Sequence, residues 1–163
     1  MNIRLPLFFL TLVLALAPAL RADDAKPAAP AAPAAAKAKE ADDDETELGD
    51  DMHKMSSAFK KLKKQVADPS KNAASLELVA TMRQYAEASL KLTPAKADDI
   101  PATDRAKFES DFQAKIKSLL DEIGKLEAAL KDNKNDEAQK IVAELGTIEK
   151  AGHKDFQRPK KKD

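Results

Sequence analysis

The sequence predicts an all-α protein, folded as an antiparallel, up-down-up-down four-helix bundle. Its composition is typical of a helical protein, because only 4 of 163 residues are glycine, 4% are aromatic and 34% are charged. From residue 47 onward, apolar residues recur at intervals of three or four in four successive segments. This is the period of helices that bury one face. The first and third connections between these segments are short, which favours antiparallel neighbours.

The N-terminus has the features of an export signal. Arg4 supplies a positive charge, an apolar run follows over residues 5–16, and Ala19 and Ala22 are small residues suited to a cleavage site. The apolar run is too short for a comfortable membrane span. We therefore predict a signal peptide over residues 1–22 and a periplasmic mature protein that is not held in a membrane. An uncleaved signal anchor is the alternative.

A spacer is predicted between this signal and the bundle. Residues 23–46 consist mainly of alanine, proline, lysine and acidic residues. Repeated proline prevents a continuous helix, and the lack of large apolar residues prevents a core. We therefore expect an Ala/Pro-rich disordered linker, then the bundle over residues 47–157 and a basic tail over residues 158–163.

The charge balance and the motif content exclude several function classes. The chain has 28 basic and 28 acidic residues, and loss of Arg4 and Arg21 with the signal peptide changes the formal charge from 0 to −2. This balance argues against nucleic acid binding. The absence of cysteine excludes disulfides, zinc-thiolate sites, iron–sulfur clusters and covalently attached c-type haem. Since the sequence also lacks a Gly-rich phosphate loop, H-E-x-x-H and G-x-S-x-G, we predict that it is not an enzyme.

The individual helices follow from the apolar stripes and their breaks. We expect helix two over residues 73–92, before Pro94, and helix three over residues 104–131. A turn at residues 132–135 precedes helix four. The stripe of helix one, which stops at the Asp-Pro-Ser turn of residues 68–70, consists of Leu48, Met52, Met55, Phe59, Leu62 and Val66.

Two potential metal ligands lie at the ends of the folded segment. Met52 opens the first helix and His153 closes the last. Because both positions lie at the same end of an antiparallel bundle, a thioether and an imidazole can converge on one metal, as in a Met/His haem site. The alternatives are a core methionine and a surface histidine at a helix C-terminus. A copper site that also uses His53 and Met55 is a further alternative, although His53 should face solvent because one residue rotates about 100° around a helix.

Four local motifs, in chain order, make residues 48–156 similar to the soluble cytochrome b562 family. The resemblance concerns the acidic lead-in to the axial methionine, a segment of the second helix, two haem-facing phenylalanines, and the spacing from Glu-Ala-Gln to the axial histidine. The matching residues are Gly49-Asp50-Asp51-Met52, Thr81-Met82-Arg83, Phe108 with Phe112, and Glu137-Ala138-Gln139 followed by Leu145 and His153.

The resemblance implies a function and a site. The sulfur of Met52 and an imidazole nitrogen of His153 would be the axial ligands of one non-covalent b-type haem per chain, with Met82, Phe108 and Phe112 contacting the cofactor. A six-coordinate iron leaves no open position for substrate, so electron transfer to a redox partner protein is expected. We expect the protein to be a monomer.

Departures from the family pattern keep a second interpretation open. Glu149 and Gly152 stand where family members often have a basic and an aromatic residue, and Gly146 and Gly152 each cost about 1 kcal/mol of helix stability relative to alanine. The alternative is a haem-free bundle with a partner-binding or structural role in the periplasm. The acidic residues 42–51 and the basic tail should also share the ligand end, where they can pair with each other or steer a basic redox partner.

Overall fold

A computed structural model describes residues 43–159, apart from the side chain of Asp44. Its four helices are α1 (Glu47–Lys63), α2 (Asn72–Ser89), α3 (Ala102–Lys131) and α4 (Asn135–Phe156). Short 3-10 helices precede α1, α2 and α3, and the described residues contain no strand. The predicted signal peptide, nearly all of the predicted linker and residues 160–163 lie outside the described residues.

The helices pack in sequence order, α1 on α2, α2 on α3 and α3 on α4. This order confirms the predicted all-α, up-down-up-down bundle. The backbones approach each other least between α1 and α4, so the α1–α4 seam is the most open of the four. No helix within residues 43–159 combines the length and the apolar character needed to cross a bilayer.

The start of α1 is fixed by a side-chain cap. The hydroxyl oxygen of Thr46 accepts a hydrogen bond from the N–H of Gly49 at 3.0 Å and donates one to the carbonyl oxygen of Asp43 at 2.8 Å. A capping hydroxyl satisfies a helix N–H group that otherwise has no partner within the helix. It therefore fixes the first turn of α1, and Met52 lies in the next turn of the same helix.

The α2–α3 connection is three residues longer on its α2 side than the sequence predicted, and two residues shorter on its α3 side. Helix α2 ends at Ser89, because the N–H groups of Leu90, Lys91 and Leu92 each donate to the carbonyl oxygen three residues back, a tighter turn that precedes Pro94. Helix α3 begins at Ala102, because the fixed φ of Pro101 suits a helix start and its carbonyl oxygen accepts from the N–H of Asp104 at 2.9 Å.

Three asparagines form an amide network at the end of the bundle that contains the α1–α2 and α3–α4 connections. The side-chain nitrogen of Asn72 donates to the side-chain oxygens of Asn133 at 2.9 Å and Asn135 at 3.2 Å. The side-chain nitrogen of Asn135 donates in return to the side-chain oxygen of Asn72 at 2.8 Å and to the carbonyl oxygen of Val66 at 2.7 Å. The amide network therefore joins the two connections directly.

Candidate functional site

A cavity of about 400 Å³ borders the start of α1 and the end of α4. Pockets for small ligands and cofactors commonly enclose about 300–1,000 Å³. Its wall includes residues from all four helices and from the α2–α3 connection. The apolar side chains of this wall are Leu48, Met52, Met55, Phe59, Met82, Pro94, Ala95, Phe112, Ile116, Leu119, Leu145, Ile148 and Phe156.

Both predicted axial ligands border this cavity. Met52 is half-buried and packs against the core, whereas His153 is exposed in the last turn of α4. His53 is exposed, as the sequence predicted, but it also borders the cavity, because the cavity opens to the surface beside it. Buried Met55 is a further wall residue. With Met82 of α2, the cavity wall thus contains three thioethers and two imidazoles.

The three residues predicted to contact a cofactor differ in their positions. Met82 and Phe112 are buried and line the cavity. Phe108 is half-buried and is not part of the lining; its ring packs on that of Phe156, with 5.3 Å between centroids. Phe156 itself lines the cavity and also meets Phe112 edge-on at 5.4 Å. Phe108 therefore supports the wall from behind.

Sequence reasoning missed several polar wall residues. Ser56 lies one turn after Met52 in α1, and its hydroxyl donates to a carboxylate oxygen of Glu149 in α4 at 3.2 Å. Lys60 and Lys115 also border the cavity. The apolar stripes gave no signal for these side chains, since each lies at the edge of its helix's buried face. The long α2–α3 connection was noticed only for its length, yet it supplies Pro94 and Ala95 to the wall.

A group of ion pairs and hydrogen bonds, here called the Arg158 clasp, joins the segment that follows α4 to the α2–α3 connection and to Asp43, which borders the cavity. The guanidinium of Arg158 donates to both carboxylate oxygens of Asp99, at 2.8 and 3.2 Å, and its backbone N–H donates to Asp43. The ammonium of Lys96 donates to the carbonyl oxygen of Asp155 at 2.7 Å. The hydrogen bonds with Asp99 raise the pKa of Arg158.

The Arg158 clasp includes part of the predicted pairing between the acidic residues 42–51 and the basic tail at the ligand end of the bundle. Arg158, the first residue of the basic tail, contacts Asp43 of the acidic run, as an intramolecular pairing requires. Two hydrogen bonds of its side chain go instead to Asp99 in the α2–α3 connection, which the sequence did not implicate. Residues 160–162 of the tail lie outside the described residues.

The donor set fits a haem iron. Thioether sulfur is soft and imidazole nitrogen is borderline, a combination that suits iron that changes between the ferrous and ferric states. The aromatic and aliphatic wall suits a flat apolar ring system. Within residues 43–159, no group of three or more His, Cys, Asp or Glu side chains is placed to hold a metal ion.

The sequence model of the cytochrome b562 family matches residues 47–157, from the first residue of α1 to one residue beyond α4. The chain belongs to the cytochrome b562 family. This confirms the resemblance drawn from the four motifs, and every potential ligand on the cavity lies within the match. The cytochrome b562 family consists of helical bundles that bind haem and carry electrons; it is not a family of enzymes. Comparison with curated proteins gave no significant match.

Proposed function

We propose that this member of the cytochrome b562 family is a periplasmic electron carrier that holds one non-covalent haem b between Met52 and His153. The observation that carries this proposal is that these two side chains, 101 residues apart in sequence, border one apolar cavity. Export rests on the features of residues 1–22. Transfer of electrons to a redox partner protein, by a monomeric carrier, completes the proposal.

The wall residues have distinct tasks in this proposal. Met52 and His153 would hold the iron from α1 and α4, across the open α1–α4 seam. Bound haem supplies an iron that gains and loses one electron reversibly, and methionine–histidine ligation raises its reduction potential. Met82, Phe112 and Phe156 would exclude water from the ring. Non-covalent binding follows from the absence of cysteine, and two axial side chains leave no position for a substrate.

Reconstitution of the purified protein with haem tests the ligand pair. We expect the parent protein to bind one equivalent and to give a sharp low-spin ferrous absorption spectrum. Met52→Ala should give a high-spin spectrum, because one axial position opens. His153→Ala should weaken haem binding more strongly, because it removes the nitrogen ligand.

Two neighbouring residues serve as matched controls. His53→Ala removes the other imidazole that borders the cavity, and Met55→Leu removes the second thioether of α1 on the cavity wall while it keeps a side chain of similar volume. Both should keep the low-spin spectrum. An unchanged spectrum in Met52→Ala and His153→Ala, or the same change in the two controls, would contradict Met/His ligation.

The same cavity gives a specific reason to test copper as a second candidate. His53 and Met55 border it together with Met52 and His153, and cuprous copper prefers thioether and imidazole ligands. A copper protein should bind one cuprous ion more tightly than haem and lose that ion in His53→Ala. A parent protein that binds neither haem nor copper would favour the haem-free bundle.

A further inference from the structure

A carboxylate is built into the wall of the proposed haem site. Glu149 lies in α4, is half-buried and borders the cavity. The hydroxyl of Ser56 in α1 donates to its carboxylate oxygen Oε1 at 3.2 Å. This hydrogen bond spans the α1–α4 seam, where the backbones are farthest apart, so Ser56 holds the carboxylate at the cavity instead of leaving it to turn toward solvent.

Glu149 also has a fixed relation to the proposed iron ligand. Glu149 and His153 are four residues apart within the continuous helix α4. Residues at this spacing lie on the same face of a helix, with about 5–6 Å between their Cβ atoms. The carboxylate is therefore one helical turn from the imidazole, on the face that borders the cavity.

We propose that Glu149 lowers the reduction potential of the bound haem and that Ser56 is a positioning residue for this carboxylate. This inference rests on the proposed haem-binding function. Glutamate is negatively charged at neutral pH, and ferric iron carries one more positive charge than ferrous iron. The carboxylate therefore stabilises the ferric state more than the ferrous state.

The other charged residues on the cavity wall are not held in place as Glu149 is, so we expect them to affect the reduction potential less. Asp43 and the ammonium groups of Lys60 and Lys115 border the same cavity, but Asp43 is engaged by the backbone of Arg158 in the Arg158 clasp. Lys60 is exposed to solvent, which screens its charge. Asp43 and Lys115 are half-buried as Glu149 is, but Glu149 differs from these groups because a hydrogen bond across the α1–α4 seam holds it one helical turn from the proposed iron ligand.

Potentiometric titration of the reconstituted protein tests the role of Glu149. Glu149→Gln keeps the shape of the side chain and removes its charge, so its reduction potential should lie above that of the parent protein. At an effective dielectric constant of about 20–40, loss of a charge one helical turn from the ligand should raise the ratio of ferrous to ferric haem affinity roughly five- to thirtyfold. The sign follows because the ferric state loses the greater stabilisation.

Glu144→Gln is the matched control. Glu144 lies on the exposed side of the same helix and does not border the cavity, so this variant should keep the parent potential. Ser56→Ala keeps the charge but releases the carboxylate, and its potential should rise by less than that of Glu149→Gln. A circular dichroism melt of each variant establishes that the bundle remains folded.

The outcomes separate this inference from the proposed function. Equal potentials in the parent, Glu149→Gln and Glu144→Gln would overturn the role of Glu149 while haem binding stands. A shift in Glu149→Gln without any shift in Ser56→Ala would overturn the role of Ser56. Failure of the parent protein to bind haem would overturn the proposed function and, with it, this inference.

Discussion

Gly146 and Gly152 lie in the same helix but have different surroundings. A Cβ atom added at Gly146 would meet the ring of Phe59 at 4.0 Å, an ordinary van der Waals distance. One added at Gly152 would meet nothing within 4 Å, although Gly152 borders the cavity. Neither residue has a positive φ. The backbone of α4 therefore does not require glycine at residue 152.

Gly152→Ala should consequently stabilise the haem-free protein. Alanine is favoured over glycine inside a helix by about 1 kcal/mol, which corresponds to a rise of about 2–6 °C in Tm for a domain of this size. Thermal melts of parent and variant measure the difference. Gly146→Ala provides the comparison, because its added methyl group would contact Phe59 and not open space. A Tm for Gly152→Ala below that of the parent protein would contradict the prediction.

At the scale of single residues, the sequence selected candidate site residues but did not give the position of each one relative to the cavity. Met52 and His153 could be selected because helical spacing and an antiparallel topology place them at one end of the bundle. Phe108 and Phe112 share a helix face, but spacing could not reveal that the cavity wall includes only Phe112, since this depends on where Phe156 packs. The bond between Ser56 and Glu149 depends on the exact separation of α1 and α4, which no sequence period encodes.

At the scale of helices, an ion pair joins α2 to α3 on the outside of the bundle. Arg83 of α2 donates to Glu127 of α3 at 2.9 Å, and Lys131, one turn further along α3, donates to the same carboxylate. The hydrogen bond from Lys131, aided by the one from Arg83, lowers the pKa of Glu127. The charged form of Glu127 is thus more favoured in the folded protein than in the unfolded chain.

The lowered pKa of Glu127 predicts a pH-dependent contribution to stability. A carboxylate whose pKa is lower in the folded state stabilises it above the unfolded pKa, about 4.3 for glutamate, and this contribution disappears as the pH falls through the folded pKa. Glu127→Gln should therefore lower the free energy of unfolding by about 0.5–1 kcal/mol at pH 7 and by much less at pH 3.

Urea denaturation at the two pH values measures this difference. Exposed Glu77→Gln, which takes part in no ion pair described within residues 43–159, is the control, and its stability should be similar to that of the parent at both pH values. A loss in Glu127→Gln that is as large at pH 3 as at pH 7 would show that packing, and not charge, is responsible.

Helix boundaries show why elements were easier to predict than their connections. Apolar stripes identify the helices because burial of one face dominates their stability. The end of α2 depends instead on the tighter backbone turn over Leu90–Leu92, and the start of α3 on Pro101. Such local hydrogen bonds shift a boundary by two or three residues without any change in the apolar pattern.

At the scale of the whole molecule, the two ends of the bundle differ in how they are joined. The ligand end contains the cavity and is tied by charged groups of the Arg158 clasp, with Asp99 and Lys96 exposed or half-exposed. The opposite end is tied by the buried amides of Asn72 and Asn135. Buried hydrogen bonds contribute more to stability than solvent-exposed ion pairs, so the amide network should anchor the fold while the ligand end accommodates a cofactor.

The chain turns sharply where the amide network is formed. Asn133 has a φ of 56°, in the left-handed region that asparagine tolerates better than most residues. The N–H of Lys134 donates to the carbonyl oxygen of Ala129 at 2.8 Å, which completes the hydrogen-bonding pattern of a helix end. This turn places the side chain of Asn135 within hydrogen-bonding distance of Asn72. The sequence predicted a turn at residues 132–135 but not this long-range contact.

Asn135→Ala should therefore destabilise the protein strongly. It removes the donors to Val66 and Asn72 and leaves a buried carbonyl oxygen and a buried amide short of partners, at a cost of about 1–3 kcal/mol for each group. We expect a loss of about 2–4 kcal/mol in the free energy of unfolding of the haem-free protein, measured by urea denaturation. Lys140→Ala, on the exposed side of the same helix, should change it by less than about 0.5 kcal/mol.

A double-mutant cycle distinguishes a shared network from separate contacts. Asn72→Ala also breaks the hydrogen bonds with Asn135, so combining the two substitutions should cost less than the sum of the single losses, with an interaction energy of about 0.5–3 kcal/mol. Additive losses would mean that Asn72 and Asn135 stabilise the bundle independently.

The amide network lies at the end of the bundle opposite the cavity. An Asn135→Ala protein that remains folded should therefore bind haem and retain the low-spin spectrum of the haem-loaded parent. Loss of that spectrum in the folded variant would indicate that the two ends of the bundle are coupled.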